Sequence, residues 1–230
     1  KELLSLDHLP KSLIVLGAGP IGIEMAQAFT RFGTSVTVVD MAPPILPKDD
    51  SDLTNEIMEI LSAEGVKFYT SHTIEAVTDL GREREVIVRD KTGKEGNTIR
   101  LKAEALLVAL GRIANVDGLG LKTIGIEHDR RGIKVDQRMR TNHKHIYAVG
   151  DVNGGFQFTH TAGYEGGIVV SNAIFRLPRK ADYTYLPWCT FTDPPLGNIG
   201  MNETMATEAG IDYKVWTEEF KDNDRSVAEG

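Results

Sequence analysis

Cysteine is almost missing from this sequence: Cys189 is the one thiol in 230 residues. It permits no internal disulfide, no CxxC zinc ribbon and no internal cysteine redox pair. A reducing, cytoplasmic setting is the expectation that follows. Long apolar runs are missing too. No charge-free stretch approaches the ~18 residues of a membrane span, so no membrane partner is expected. Positive charge is short: 26 Lys+Arg face 33 Asp+Glu, a net charge of -7. That balance argues against a broad nucleic-acid-binding face. Glycine is plentiful at 23 residues but has no triplet period, which excludes collagen. What remains is 41% hydrophobic and 26% charged. A chain of this length carries roughly one to two domains and buries a substantial core. Its opening, KELLSLDHLP, starts without Met and resembles neither a signal nor a transit peptide. Its end, KDNDRSVAEG, is polar with no obvious terminal element. A processed product or a piece of something longer is expected.

Residues 13–16 form a short apolar run that stops at Gly17, as a buried parallel strand does. Behind it, Gly22, Met25, Ala26, Phe29 and Phe32 make the i, i+3, i+4, i+7 stripe of a helix packed on a sheet. Pro20 suits the first turn and Gly33 the C-terminal stop. Residues 36–39 read as a second strand ending at Asp40, and the proline-rich residues 41–49 as a loop. A second helix is expected over Asp52–Ala63 and a third strand over Val66–Tyr69. From Thr73 to Leu101 the period changes to two around the turn-rich residues 90–93, which predicts an antiparallel hairpin or three-strand insert. Ala105–Leu110 is another buried strand, running into Gly111 and Arg112. A strand at His145–Val149, a helix from Thr161 to Phe175, strands near 188–191 and 198–201 and a helix over 202–209 follow. The fold class is α/β, with a Rossmann-type unit carrying the insert.

Gly17-x-Gly19-x-x-Gly22 lies between a strand and a helix, and Asp40 ends the next strand, ~20 residues on. A lone GxGxxG is weak in so glycine-rich a chain; the ~30-residue βαβ context makes it specific for a dinucleotide. Gly17 permits the tight turn, Gly19 lets backbone approach a pyrophosphate, and Gly22 lets the helix pack closely on the strand. Pro20 and Ile21 open a helix whose N–H groups and dipole favour phosphates. Asp40 can accept from the adenosine ribose hydroxyls, and its carboxylate repels a 2′-phosphate. Met41 follows, with no basic residue close by, so NAD is favoured over NADP, although Arg31 or Lys48 could reach round.

The second signal is Ile146-Tyr147-Ala148-Val149-Gly150-Asp151, an apolar strand delivering a carboxylate beside a flexible glycine. Alone it reads as a strand-end aspartate capping a turn. Gly111-Arg112 upstream, and Phe158-Thr159-His160-Thr161-Ala162 opening a helix downstream, move the balance towards a site. His143 and His145 read as a loop before a strand rather than a metal site, because no carboxylate or cysteine sits at ligand spacing. Trp188 and Phe191 read as core, and the Cys189 thiol as a small core hydrophobe.

KSLIVLGAGPIGIEMA, ALLVALGRIANVDGLGL, TNHKHIYAVGDV, FTHTAGYEGG and TFTDPPLGNIGMNE occur in one order. In that order the chain resembles the pyridine nucleotide–disulfide oxidoreductases, which include dihydrolipoamide dehydrogenase, glutathione reductase and mercuric reductase. The resemblance covers nearly the whole chain, and the last segment looks most like the mercuric-reductase-type members. It implies an NAD(P)-binding domain over 1–116, the second part of an FAD-binding domain over 117–184, and the start of an α+β dimerisation domain over 185–230. Gly17, Gly19, Pro20, Ile21, Gly22, Asp40 and Met41 would bind the nicotinamide nucleotide. Glu24 matches the acid that pairs with a lysine beside the flavin; on sequence alone a solvated helix face serves equally. Gly111, with Arg112, would sit where backbone passes the nicotinamide half. Gly150 and Asp151 match the flavin ribityl site. Thr159, His160, Thr161 and Ala162 match the helix start facing the flavin pyrimidine edge. The backbone at Cys189 would pass near the nicotinamide carboxamide. Two departures stand out: Arg112-Ile113-Ala114-Asn115 replaces the usual GRxPN ending, and His160 stands where proline is common.

The family's first GxGxxG, its CxxxxC redox disulfide and its C-terminal His–Glu pair have no counterpart here. The expectation is a central fragment of a flavoprotein oxidoreductase. The parent would be a homodimer passing hydride from NAD(P)H to FAD and on to a disulfide or metal-ion acceptor, and the fragment alone would be inactive. A stand-alone dinucleotide-binding sensor or interaction module is the rival, and the Asp151 and Thr159 region, which such a module does not need, separates the two. A relative that passes electrons from flavin to oxygen or a quinone without redox cysteines is a third possibility.

Overall fold

Alternate residues of one strand belong to two different cores. In β1 (Ser12–Leu16), Leu13 and Val15 join one core and Ile14 and Leu16 the other, and all four are buried. A strand buried on both faces reads as a continuous apolar run and lies inside its sheet. The computed structural model describes residues 6–93 and 97–229; residues 1–5 of the opening stretch and Gly230 lie outside them. After β1 come α1 (Pro20–Arg31), β2 (Ser35–Val39), α2 (Ser51–Glu64) and β3 (Lys67–Tyr69). Three strands follow, β4 (His72–Asp79), β5 (Arg84–Asp90) and β6 (Thr98–Ala103), and then β7 (Ala105–Val108). The four parallel strands take the order β3-β2-β1-β7.

The expected insert is a three-stranded antiparallel sheet, β4-β5-β6. It supplies the second layer: Val86, Val88 and Ala103 pack on Ile14, Leu16 and Val39. On the opposite face, Ile23, Ala26 and Phe29 of α1 and Ile57 and Leu61 of α2 cover Leu13, Val15, Val36 and Val38. Burying each of the larger of these side chains contributes roughly 1.5–3 kcal/mol. Pro20 starts α1, and Gly33, at φ +93°, follows its C-cap Phe32, as the sequence implies.

A smaller core of Leu121, Ile126, Ile133 and Ala148 holds the next segment, around the two-residue strands β8 (His128–Asp129) and β9 (Gly132–Ile133). The strand expected at His145–Val149 is not there. Tyr147 makes only an isolated bridge to Arg140, because a strand needs a ladder partner and no other described segment lies alongside. α3 (Thr159–Ala173) begins two residues before the expected Thr161. β10 (Pro187–Thr190) and β11 (Leu196–Ile199) form an antiparallel hairpin. α4 (Glu203–Glu208) is capped by Asn202, whose side chain accepts from the Met205 N–H. The polar end is not featureless either: α5 (Asp224–Glu229) forms there, with Asn223 Oδ1 accepting the Arg225 and Ser226 N–H groups at 3.1 and 3.2 Å.

The last segment docks on the first. Asp49 Oδ1 accepts from Trp188 Nε1 at 2.9 Å and from Asn198 Nδ2 at 2.6 Å. Asp50 accepts the Glu203 and Thr204 N–H groups. Gln27, buried in α1, brackets the Asp193 backbone, donating to its carbonyl at 2.9 Å and accepting its N–H at 2.8 Å.

Candidate functional site

The glycine loop sits where the connections of the sheet diverge. From β1 the chain passes through α1 to β2 on one side, and β7 flanks β1 on the other. Open α/β sheets bind nucleotides in such a crevice at the carboxyl ends of the strands. Gly17 leaves β1 at φ +106°. A Cβ on it would stand 2.4 Å from the Ala109 carbonyl oxygen, and one on Gly22 would stand 2.0 Å from the Gly17 carbonyl oxygen. Backbone approach therefore dictates both glycines. Gly19 differs, because a Cβ there would meet nothing within 4 Å. Gly19 also caps α1 without a side chain, and no acid occupies the first turn. The first helical bond runs from Ile23 N–H to Gly19 C=O at 3.0 Å, so the Ile21 and Gly22 N–H groups precede the ladder. An uncapped, unopposed helix start beside an open glycine fits a pyrophosphate.

Asp40 has a structural task that the sequence did not reveal. Its Oδ2 accepts the Ala18 N–H and its Oδ1 the Ala42 N–H, both at 2.7 Å. It fastens the glycine loop to the end of β2. Each oxygen keeps a further lone pair, so ribose hydroxyls can still be accepted. Met41 beside it is exposed. Leu46, buried at φ +48°, holds Ala18 by its carbonyl, with N–H to O at 2.8 Å.

A second group of expected site residues also comes together. Gly111 turns the chain after β7 at φ +116°. Arg112 Nη1 then lies 3.4 Å from Asp151 Oδ2 and 3.3 Å from the Gln157 carbonyl. Both members of this ion pair are exposed, so it orients more than it stabilises. Gly150, at φ +72°, opens the 3-10 turn Gly150–Asn153, and a Cβ there would stand 2.9 Å from the Ala162 Cβ. The helix of Thr159, His160, Thr161 and Ala162 is thereby set against Asp151. This helix start has no side-chain cap and no acid in its first turn. Thr161 Oγ1 is buried with no partner among the described residues. An orphaned hydroxyl at an uncapped helix start fits a polar ligand edge. His160 turns away: Nε2 lies 2.8 Å from the Pro187 carbonyl, and the ring stacks on Phe158.

Glu24 is half-buried rather than on a solvated helix face. Its Oε1 accepts the Phe191 N–H at 2.9 Å, so α1 grips the loop after β10. Burial raises the Cys189 thiol, and the Glu24 charge adds to the rise, as for an inert, half-buried thiol. The core reading of Phe191 is corrected: it is 76% exposed. β10 and β11 pack on α1 from one side, through Leu196, and no described layer covers the other. Trp188 is half-buried, held by Asp49. The rings of His143 and His145 lie edge to face. Among the described residues no group of three or more His, Cys, Asp or Glu could hold a metal, and no helix is long and apolar enough to cross a membrane.

Glu165 was missed entirely. It is 1% exposed and accepts from the Gly150 N–H at 2.7 Å, Asn153 Nδ2 at 2.8 Å and the Tyr183 hydroxyl at 2.6 Å. The signal was present: Thr161, Glu165 and Ile168 follow the i, i+4, i+7 spacing of a buried stripe.

Residues 1–166 match the pyridine nucleotide-disulphide oxidoreductase model, and residues 186–230 match the dimerisation domain of the same family. A dihydrolipoyl dehydrogenase of Bacillus subtilis is 36% identical over 99% of this chain and 48% of its own length. One from Mycobacterium tuberculosis is 38% identical over 94% of this chain and 46% of its own. Among solved structures, the HOCl-induced flavoprotein disulfide reductase RclA from Escherichia coli aligns with a TM-score of 0.86 at 32% identity. It covers 99% of this chain and 51% of that one. The chain spans about half the length of the curated relatives it matches. By the match over residues 1–166, this chain belongs to the pyridine nucleotide-disulphide oxidoreductase family.

Proposed function

We propose that this chain is the nicotinamide-nucleotide-binding domain (1–116), the second part of an FAD-binding domain (117–184) and the start of a dimerisation domain (185–230) of a flavoprotein oxidoreductase. The parent passes hydride from NAD(P)H to FAD and on to a disulfide or metal-ion acceptor. The observation that carries this reading is the division of labour in the glycine loop, where Gly17 and Gly22 are packed against backbone and Gly19 is open. Gly19 and the N–H groups of Ile21 and Gly22 would take the nucleotide pyrophosphate. Asp40, beside the exposed Met41, would take the adenosine ribose and favour NAD over NADP. Gly111 and Arg112 would lie towards the nicotinamide half of the nucleotide.

The residues at the second group fit a flavin. Asp151 would accept from the ribityl hydroxyls, and the start of α3 at Thr159 to Ala162 would face the pyrimidine edge. When bound, FAD supplies two-electron transfer between nicotinamide and acceptor. The protein residues bind and orient, and the positive end of α3 favours negative charge on a reduced ring. Glu24, by holding the Phe191 N–H, keeps the Cys189 backbone beside the path to the nicotinamide. The dimerisation-domain match over 186–230 supports a homodimer of the parent. The single cysteine supports a cytoplasmic setting. Expression of the complete reading frame around these residues tests the reading. A yellow protein that oxidises NADH with a disulfide or metal-ion acceptor is expected; a colourless protein overturns it.

A further inference from the structure

Glu165 is a carboxylate in the interior of α3, 1% exposed, with no cation against it among the described residues. Its partners are three neutral donors from two other segments. Oε2 takes the Gly150 N–H at 2.7 Å and Asn153 Nδ2 at 2.8 Å, and Oε1 takes the Tyr183 hydroxyl at 2.6 Å. Gly150 and Asn153 are the first and last residues of the 3-10 turn that carries Asp151. One oxygen therefore grips both ends of that turn, and Asp151 between them is left exposed. The turn has other supports: apart from the exposed Arg112–Asp151 pair and a 4.0 Å contact of Asn153 Nδ2 with Met139 Sδ, they are local. The Gly154 N–H bonds the Asp151 carbonyl at 3.2 Å, and Asn153 Oδ1 accepts the Gly155 N–H at 2.9 Å. None of these supports bonds to a residue of α3; Arg112 reaches the Gln157 carbonyl, two residues before its start. Among the described residues, Glu165 makes the direct hydrogen bonds between the turn and the helix whose start forms the rest of the second group. Tyr183 extends the link to the segment before β10, and burial together with the Glu165 carboxylate holds its hydroxyl well above the usual tyrosine range.

We propose that Glu165 is a positioning residue for the flavin: through Gly150 and Asn153 it fixes the Asp151 carboxylate relative to the start of α3. This rests on the flavin reading above. A buried carboxylate is costly unless every lone pair in use is matched, and three neutral donors stabilise it without a counter-ion. The geometry also says which change is tolerated. In Glu165→Gln, the amide oxygen can keep Gly150 and Asn153 while the amide nitrogen donates to the Tyr183 oxygen, which accepts as readily as it donates. In Glu165→Ala both ends of the turn lose their acceptor.

Two measurements are needed: amide hydrogen exchange at Gly150 in the 230-residue chain, and flavin affinity in the protein from the complete reading frame, with FAD as probe. Glu165→Gln is expected to match the unaltered protein in both. Glu165→Ala is expected to speed Gly150 exchange and weaken FAD binding by roughly 10- to 100-fold, the loss of hydrogen bonds to a charged acceptor. Tyr183→Phe removes one donor without touching the turn and is expected to leave FAD affinity within about threefold, a few tenths of the effect of a charged bond. Unchanged Gly150 exchange in Glu165→Ala overturns the proposal. So does equal FAD loss in Glu165→Ala and Tyr183→Phe, which makes the carboxylate a general packing element. If Glu165→Ala fails to fold, loss of flavin by the folded Glu165→Gln overturns it instead. An unaltered protein that binds no FAD refutes the flavin reading alone, because the exchange experiment does not use flavin.

Discussion

Asp40 Oδ2 lies 2.7 Å from the backbone nitrogen of Ala18 and accepts its N–H. The acid proposed to read the ribose is thus also the clasp of the loop proposed to read the phosphates. Asp40→Ala should therefore do two things at once. It removes a charge-assisted bond worth roughly 1.5–3 kcal/mol, and with it a charge that repels a 2′-phosphate. NADH binding should weaken and the preference over NADPH should narrow, read by parallel fluorescence titrations. Equal titration curves for both nucleotides on the unaltered chain would sink the NAD assignment.

Gly19→Ala and Gly22→Ala should separate binding from folding. A Cβ at Gly22 collides with the Gly17 carbonyl oxygen at 2.0 Å, whereas one at Gly19 meets nothing within 4 Å. Gly22→Ala is expected to cost about 1–3 kcal/mol of stability, the usual range for overpacking. Gly19→Ala is expected to keep the melting temperature and lose NADH affinity, because the new methyl stands where the pyrophosphate approaches. Thermal melts and NADH titrations on both variants check this. A Gly19→Ala chain with full NADH affinity contradicts it.

Asp49 makes stability depend on pH in the direction opposite to a salt-bridged acid. Burial raises its carboxyl above the ordinary value of 3.8, although the Trp188 N–H offsets part of the rise. The folded chain then holds this proton more tightly than the unfolded chain. Its contribution to stability is lost as pH rises from 3.8 through the raised value. Asp49→Asn keeps an oxygen for both Trp188 and Asn198, so it should remove that fall while leaving the Trp188 contact intact. Urea unfolding at about pH 4 and about pH 7, in a Trp216→Phe background with Trp188 as sole emitter, measures it. Identical pH dependence with and without Asp49 refutes the assignment.

Local patterns were legible in the sequence; long-range ones were not. Leu13 to Leu16, the glycine loop and the α1 stripe as far as Phe29 are each decided within a few residues by period, turn chemistry and capping, and they stand where expected; Phe32, expected on that stripe, is the C-cap and 66% exposed. The strand at His145–Val149 had the right composition, but strands are made by partners, and Tyr147 finds only Arg140. Phe191 looked like core because apolar residues usually are; its exposure depends on what covers the second face of a two-stranded hairpin. Glu165 and Gln27 were invisible as polar residues inside helices. What marks them is their place on the buried stripes of α3 and α1, where a polar residue must find partners. Asp40 was read for its ligand, and its bond to Ala18 needs the loop to fold back.

The 230-residue chain should not retain FAD by itself. It holds one GxGxxG loop, assigned to the nicotinamide nucleotide, and Asp151 with the start of α3 would touch only the ribityl and ring portions. The N–H donors that bind a second pyrophosphate would be lacking. Val108, Leu110 and Ile113, each more than 60% exposed around the end of β7, should also promote self-association. The visible spectrum of the purified chain checks the first point and light scattering the second. Stoichiometric flavin absorbance would mean that the flavin site is more complete than described.

The loop from Gly17 to Asp40 is proposed to bind a nicotinamide dinucleotide without help from any other polypeptide. The direct measurement is a titration of the purified chain, Lys1–Gly230, with NADH, followed by nicotinamide fluorescence. A saturable enhancement that free NAD reverses by competition is expected. A signal that rises linearly with added NADH, indistinguishable from buffer, would contradict it.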